Sequence, residues 1–299
     1  MIKVTYQDSF KSSYYELIAD SRLQKFERIK FEAYYENHLE SKLGYSLWDI
    51  LCGDYEKLLE IKTKLGTKYR KDTHIKGLFN FDKTKNVKIS KLQPKIATFM
   101  QEELEIDTCY YCNIEFINKF KSSNGEYKNG FTLDHFIDKG NYPYLALSLY
   151  NLIPSCYTCN SKLKHSSEIN NLSPSSSRFN FDFKVKFKTF MKNENLQIDN
   201  ENDFELILKE SFSNEYQDYI KIFDLNGRYE YHKYKVIEMI RKRRKYPDSR
   251  IKELAKLTEK TEEEVKQDLF GEYIFEDDIL HKRPFSKLIR DISKELDLS

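Results

Sequence analysis

Four of the five cysteines fall into two pairs of one spacing, Cys109-x-x-Cys112 and Cys156-x-x-Cys159, with 43 residues between them. Thiolates three positions apart can grip one ion from a tight knuckle. Two knuckles complete a tetrahedral zinc site with no open position, which makes such a site structural. The sequence begins without a basic-then-apolar secretion signal, so the pairs point to a metal more than to disulfides, with redox or unpaired thiols as the competing reading. The fifth, Cys52, lies in the apolar stretch LWDILC and reads as an ordinary buried residue.

The segment between the pairs carries the remaining chemistry. Phe131-Thr132-Leu133 is a short apolar run that ends in Asp134-His135. An Asp beside a His offers a hard oxygen ligand and a titratable base at the end of a strand. Asn151 follows, and Asn160 comes directly after Cys159. If the second cysteine pair opens a helix, Asn160 sits in its first turn with its amide held by the knuckle. Each of these residues alone is commonplace: Asp134-His135 could be a plain strand end and Asn151 a turn residue. Their placement around two cysteine pairs is what gives them weight.

This arrangement resembles the HNH endonuclease family, whose core is a ββα-metal unit, and the likeness covers residues 109–165. It rests on Cys109-Tyr-Tyr-Cys112, Asp134-His135, Asn151-Leu152 and Cys156-x-x-Cys159-Asn160 with Lys162 behind. The order fits the branch in which four cysteines and zinc staple the two ends of a small catalytic fold. The resemblance implies a metal-dependent endonuclease acting on phosphodiesters, with DNA the favoured substrate. It implies His135 as general base, Asp134 and Asn160 as holders of one Mg2+ or Mn2+, and Asn151 as a brace for the loop that positions His135. Many members carry a final His where this chain has Asn160, which makes His165 a competing candidate; otherwise His165 contacts phosphate or lies exposed. The stretch DHFIDKGNYPYLALSLYNLIPSC is also similar to nucleases of bacterial anti-phage defence loci, among them the HNH subunit of Septu-type systems, whose partner is an ATPase. This chain has no GxxxxGK[ST] phosphate loop, so any ATP-driven control would come from another subunit. The alternatives are a zinc-stapled nucleic-acid-binding module and a partner-regulated subunit without turnover of its own.

The elements that must position these residues follow from composition and pattern. The chain has 299 residues, with 50 Lys and Arg against 48 Asp and Glu. Its 22 Tyr and 21 Phe supply side chains enough for a core, and its 9 Gly and 6 Pro argue against a linker-dominated protein. No run of about 18 apolar residues exists, so neither a membrane span nor a membrane partner is expected, and a soluble cytoplasmic protein is the default. The near-neutral charge is uneven: residues 228–252 hold 10 basic and 3 acidic groups, including Arg241-Lys242-Arg243-Arg244-Lys245. Arg241, Arg243 and Arg244 are either a phosphate-binding stripe or a solvated helix face.

Periodicity predicts a helix over 12–40, a helix in the second half of 48–65, a loop over 67–90, and a helix from Pro94 to about Leu104. The alternation in 179–190 predicts a half-buried strand. Leu196–Ile198 and Phe204–Leu208 suggest a hairpin. Helices follow over 229–246, after a capping box at Thr261 and Glu264, and after Pro284. The resulting fold class is α+β: a mainly helical chain around a central ββα-metal unit, with a small antiparallel β element after it. Its regions are a helical 1–105, the cysteine-bracketed unit 106–170, and a mixed 171–299.

Overall fold

Regularly spaced apolar side chains build the N-terminal helices. In α1 (Asp8–Ala19), Phe10, Tyr14 and Ile18 recur every four residues and are buried. In α5 (Tyr55–Leu65), Tyr55, Leu58 and Ile61 recur every three. These spacings put one stripe of each helix against the core. Between them lie α2 (Phe31–His38), α3 (Glu40–Leu43) and α4 (Leu47–Cys52), and after them α6 (Thr73–Leu78) and α7 (Leu92–Leu104). The starts of α4, α5 and α6 are set by side-chain oxygens that take orphan backbone N–H groups. Ser46 accepts from Asp49 N at 3.1 Å, Asp54 from Lys57 N at 2.8 Å, and Asp72 from His74 N and Ile75 N at 3.0 Å.

The coordinates are a computed structural model, which describes residues 1–298 apart from 24–28, 81–91, 106, 126, 166, 168, 170–171, 193–196 and 272–279. The chain forms two compact units, one of Lys3–Tyr111 with Phe116–Phe179, the other of Met1–Ile2, Cys112–Glu115 and Asn180–Ser299. The fold is α+β, about half helical with small two-stranded antiparallel sheets. Among the described residues no helix is long and apolar enough to cross a membrane.

Two sheets lie in the first unit. One pairs β1 (Lys119–Lys121) with β2 (Tyr127–Asn129). The other pairs β3 (Thr132–His135) with β4 (Leu152–Ser155), with Asp134 opposite Ile153 and His135 opposite Leu152. The long loop between β3 and β4 is tied to the N-terminal helices by hydroxyl groups. Tyr14 donates to Leu147 O at 2.8 Å, Ser148 to Ile50 O at 2.5 Å, and Tyr144 to Gly66 O at 2.9 Å. The Tyr55 ring meets Phe136 edge-on at 5.8 Å.

The second unit contains a sheet of β5 (Val185–Met191) and β6 (Phe204–Glu210). Its helices are α8 (Phe181–Lys184), α9 (Gln217–Ile222), α10 (Leu225–Glu230), α11 (Lys233–Lys245), α12 (Asp248–Thr258), α13 (Glu262–Phe270) and α14 (Ser286–Glu295). The Thr261 and Glu264 capping box at the start of α13 is present in both directions.

Several elements differ from their sequence pattern. The helix expected over 12–40 is two helices, because the chain folds back after α1 and Arg22 pairs with Lys30 in an antiparallel bridge. The loop expected over 67–90 contains α6, for which Asp72 is an efficient cap; residues 81–90 of that span lie outside the description. The strand expected over 179–190 begins only at Val185. Its first part turns helically at Phe181–Lys184, which leaves Phe183 exposed and breaks the alternation. The partner of β5 is β6, and Ile198 belongs to no strand; Leu196 is outside the described residues.

The largest departure is in α14, whose Leu288 and Ile292 are buried together with the charged Lys287, Arg290 and Asp291. Lys287 Nζ lies 2.9 Å from Asp291 Oδ2 and 3.0 Å from Asp182 Oδ1, and Arg290 also bonds Asp182. Phe187 N of β5 donates to Asp291 Oδ2 at 3.0 Å. Buried charges persist only when paired and hydrogen-bonded in this way.

Burial works to raise the pKa of Asp182, but Lys287, Arg290 and Lys186 outweigh it and hold the carboxyl below its ordinary range. The stabilisation is therefore complete above the ordinary carboxyl pKa of about 3.9 and is lost as pH falls through the depressed value. Asp182→Asn should lower the urea midpoint at pH 7, costing about 1–3 kcal/mol, less than for a fully buried pair because the side chain is 37% exposed. It should also reduce the difference between midpoints at pH 7 and pH 3. Equal midpoints for variant and wild type at pH 7 would remove this role from the cluster.

Candidate functional site

The sulfur atoms of Cys109, Cys112, Cys156 and Cys159 lie within 4.8 Å of one another, and all four residues are buried. None forms a disulfide. Zinc–sulfur bonds of about 2.3 Å in a tetrahedron place sulfurs about 3.8 Å apart, so the cluster could hold a metal ion such as zinc. Nitrogen donors point at two of the sulfurs. Cys159 N points at Cys156 Sγ and Ile114 N at Cys112 Sγ, each at 3.4 Å, and Arg228 Nη2 lies 3.5 Å from Cys112 Sγ.

Each knuckle is anchored by its own surroundings. Tyr110 N donates to Pro154 O of β4 at 3.3 Å. After Cys112 the chain turns at Asn113, with φ +54, a conformation that Asn tolerates better than most residues. The Asn113 amide donates to Leu280 O and Arg283 O and accepts from Ser286 Oγ and Lys287 N, at 2.9–3.1 Å. Cys52, by contrast, is far from this chemistry: its thiol faces Lys11 O at 3.4 Å, and burial pushes its pKa up to about 12.

The second knuckle leads into a wide π-type helix, Thr158–Lys164, in which His165 N reaches back five residues to Asn160 O at 2.8 Å. Such turns place side chains differently from an α-helix. Asn160 stands in the first turn, its N bonded to Cys156 O at 3.0 Å. Thr132 Oγ1 gives its hydrogen to Ser155 O at 3.0 Å and accepts from Asn160 Nδ2 at 2.9 Å. That fixes the amide orientation, and among the described residues nothing donates to Asn160 Oδ1.

Asp134 is 3% exposed. Its carboxylate accepts from the Tyr111 hydroxyl at 2.5 Å, and Lys164 Nζ lies 3.0 Å from Oδ2 and 3.3 Å from Oδ1. Burial raises its pKa, opposed by Lys164 and by the Tyr111 hydroxyl. His135 is the next residue of β3 and leaves the strand on the opposite face. Its Nε2 sits 2.9 Å from Ala146 O, and a carbonyl can only accept, so Nε2 carries a proton. Asn151 is fully buried, and its amide spans the loop: Oδ1 accepts from Ile137 N at 2.6 Å, while Nδ2 donates to Ile137 O at 3.1 Å and Leu145 O at 2.9 Å. Leu145 adjoins Ala146, so Asn151 fixes the segment whose next carbonyl, Ala146 O, meets His135.

The structure therefore brings Thr132, Asp134 and Asn160 to one face of β3, and His135 and Asn151 to the other side with the loop. Lys162 and His165 are exposed, and His165 has φ +46. On α11, Arg241 donates to Asp199 O at 2.9 Å, Arg244 pairs with Asp199 at 2.6 Å, and Arg243 pairs with Asp248 at 2.8 Å. Exposed pairs contribute only about 0–1 kcal/mol, which leaves Arg241 and Arg244 able to exchange partners, whereas the half-buried Arg243 is also held by Leu296 O and Tyr246 O.

Sequence reasoning passed over two residues. Tyr111, expected from its place between the cysteines to pack around the knuckle, is fully buried there, and its hydroxyl also meets Asp134. Lys164 is one turn beyond Asn160, and that four-residue spacing was the available signal. Metal analysis of the purified protein should find about one zinc per chain. Cys156→Ala should lose it and several kcal/mol of stability, in keeping with the apparent ~10–16 kcal/mol of zinc binding in zinc-finger peptides. A zinc-free native protein with an unchanged melting temperature in Cys156→Ala would exclude a structural metal. No family model, curated protein or solved structure matches this chain.

Proposed function

We propose that this chain is a metal-dependent endonuclease of the HNH type, hydrolysing phosphodiester bonds with DNA as the favoured substrate. One observation carries the reading. The β3–β4 hairpin and the Thr158–Lys164 helix form a ββα arrangement whose cysteine knuckles can share one ion, with Asp134-His135 ending β3 and Asn160 opening the helix.

His135 takes a proton from water through Nδ1 while Ala146 O holds Nε2–H and keeps the tautomer. The water oxygen attacks phosphorus as the bond to the leaving oxygen breaks, and the leaving oxygen takes a proton from solvent. Asn151 keeps Leu145 and Ile137 in register, so the imidazole does not rotate away. Asp134 and His135 diverge to opposite faces of β3, so a phosphate that reaches both lies along the edge of β3 not paired with β4.

The donor set for a divalent ion is the Asp134 carboxylate with Asn160 Oδ1, hard oxygens that suit Mg2+ or Mn2+. The set fits in chemistry, although Lys164 and Tyr111 already bond the carboxylate. When bound, such an ion would supply positive charge to the phosphate under attack and to the leaving oxygen. The likeness to nucleases of anti-phage loci extends the proposal to defence, with an ATPase subunit as the partner that would control cutting.

A second reading is a zinc-stapled nucleic-acid-binding module, and the buried Lys164–Asp134 pair is the observation that favours it. Plasmid nicking in Mg2+, with the proposed partner supplied if the chain alone is silent, separates the two. His135→Ala should cut at least about 100-fold more slowly while retaining DNA binding in a mobility-shift assay. Cutting by His135→Ala at the wild-type rate would overturn the assigned mechanism.

A further inference from the structure

The Lys164 ammonium occupies a site built for a cation. Its side chain is 2% exposed. Its Nζ lies 3.0 and 3.3 Å from the two oxygens of Asp134 and 3.2 Å from His135 O. The Phe136 ring is below it, 5.5 Å from Nζ. A carboxylate and a backbone carbonyl converging on one point are ligands a hard divalent ion would also use. The carboxylate cannot serve both: a second cation beside a buried ammonium meets repulsion that little water screens.

We propose that Lys164 is a built-in competitor for the divalent ion, so that metal reaches Asp134 only when the ammonium withdraws. This rests on the reading of Asp134 as a metal ligand. The arrangement keeps the buried carboxylate neutralised while no metal is bound, at the expense of metal affinity. The long lysine stem gives the ammonium a route out by rotation of its side chain alone. An anionic phosphate at the edge of β3 is a natural acceptor for it, which couples metal entry to the arrival of substrate.

The test is Mn2+ binding by the full-length chain, read from the electron paramagnetic resonance signal of free Mn2+. Lys164→Met should bind Mn2+ at least about tenfold more tightly than wild type, and Lys164→Met combined with Asp134→Asn should lose that site. Lys164→Gln, which keeps a hydrogen bond to the carboxylate without the charge, should show the same gain and covers the case in which Lys164→Met fails to fold. In wild type, saturating Mn2+ should expose Lys164 to an amine-acylating reagent, detected by mass spectrometry. Equal Mn2+ affinity in wild type and a folded variant would overturn the proposal. So would a Lys164 that stays protected at saturating Mn2+. Either result leaves His135-dependent nicking standing if it is observed. Absence of nicking beside Asp134-dependent Mn2+ binding would instead remove the nuclease reading and keep the metal site.

Discussion

A carboxylate at 3% exposure cannot remain ionised without a cation beside it, and much around β3 answers that requirement at Asp134. The Lys164 ammonium supplies the charge and the Tyr111 hydroxyl the hydrogen bond. Both come from the cysteine knuckles: Tyr111 lies between Cys109 and Cys112, and Lys164 is five residues beyond Cys159. A cluster that fixes the cysteines thus also fixes the groups that neutralise the buried acid. This gives the four thiols a consequence for the candidate site as well as for stability.

The two faces of β3 are organised by different means. On the Asp134 face, Thr132 orients the Asn160 amide through a chain of hydrogen bonds that begins at Ser155 O. On the His135 face, orientation comes from the loop between β3 and β4: Asn151 holds its carbonyls from within, Tyr14 of α1 donates to Leu147 O, and the loop's own Tyr144 and Ser148 donate to Gly66 O and Ile50 O of the N-terminal region. A short two-stranded sheet is marginal on its own. Here its loop is tied at several points to α1, α4 and the end of α5, so the residues before 109 act as its scaffold.

A comparable solution appears around α14. Lys287, Arg290, Asp291 and Asp182 are charged groups in or near a core, each tolerated because another neutralises it. Both clusters combine a lysine with a carboxylate and a third polar group. They differ in their neighbours: the Asp134 cluster adjoins an imidazole and an amide oxygen able to do chemistry, whereas the α14 cluster ties a helix to the backbone of β5 through Phe187 N.

What the sequence settled by itself was what depends on spacing. The two Cys-x-x-Cys pairs announced a shared site, because three-residue separation is a local geometric property. The capping box at Thr261 and the α+β class were legible for the same reason, and so was the helical character of most of the N-terminal region. Tertiary structure decided the rest. The helix expected over 12–40 broke because pairing of Arg22 with Lys30 outweighed continued periodicity. The strand expected from Phe179 began late because Asp182 is drawn to Lys287 and Arg290, more than a hundred residues away. The burial of Lys164 follows only once β3 is laid beside its helix, since whether a charge is buried depends on a partner 30 residues distant and not on its neighbours in the chain.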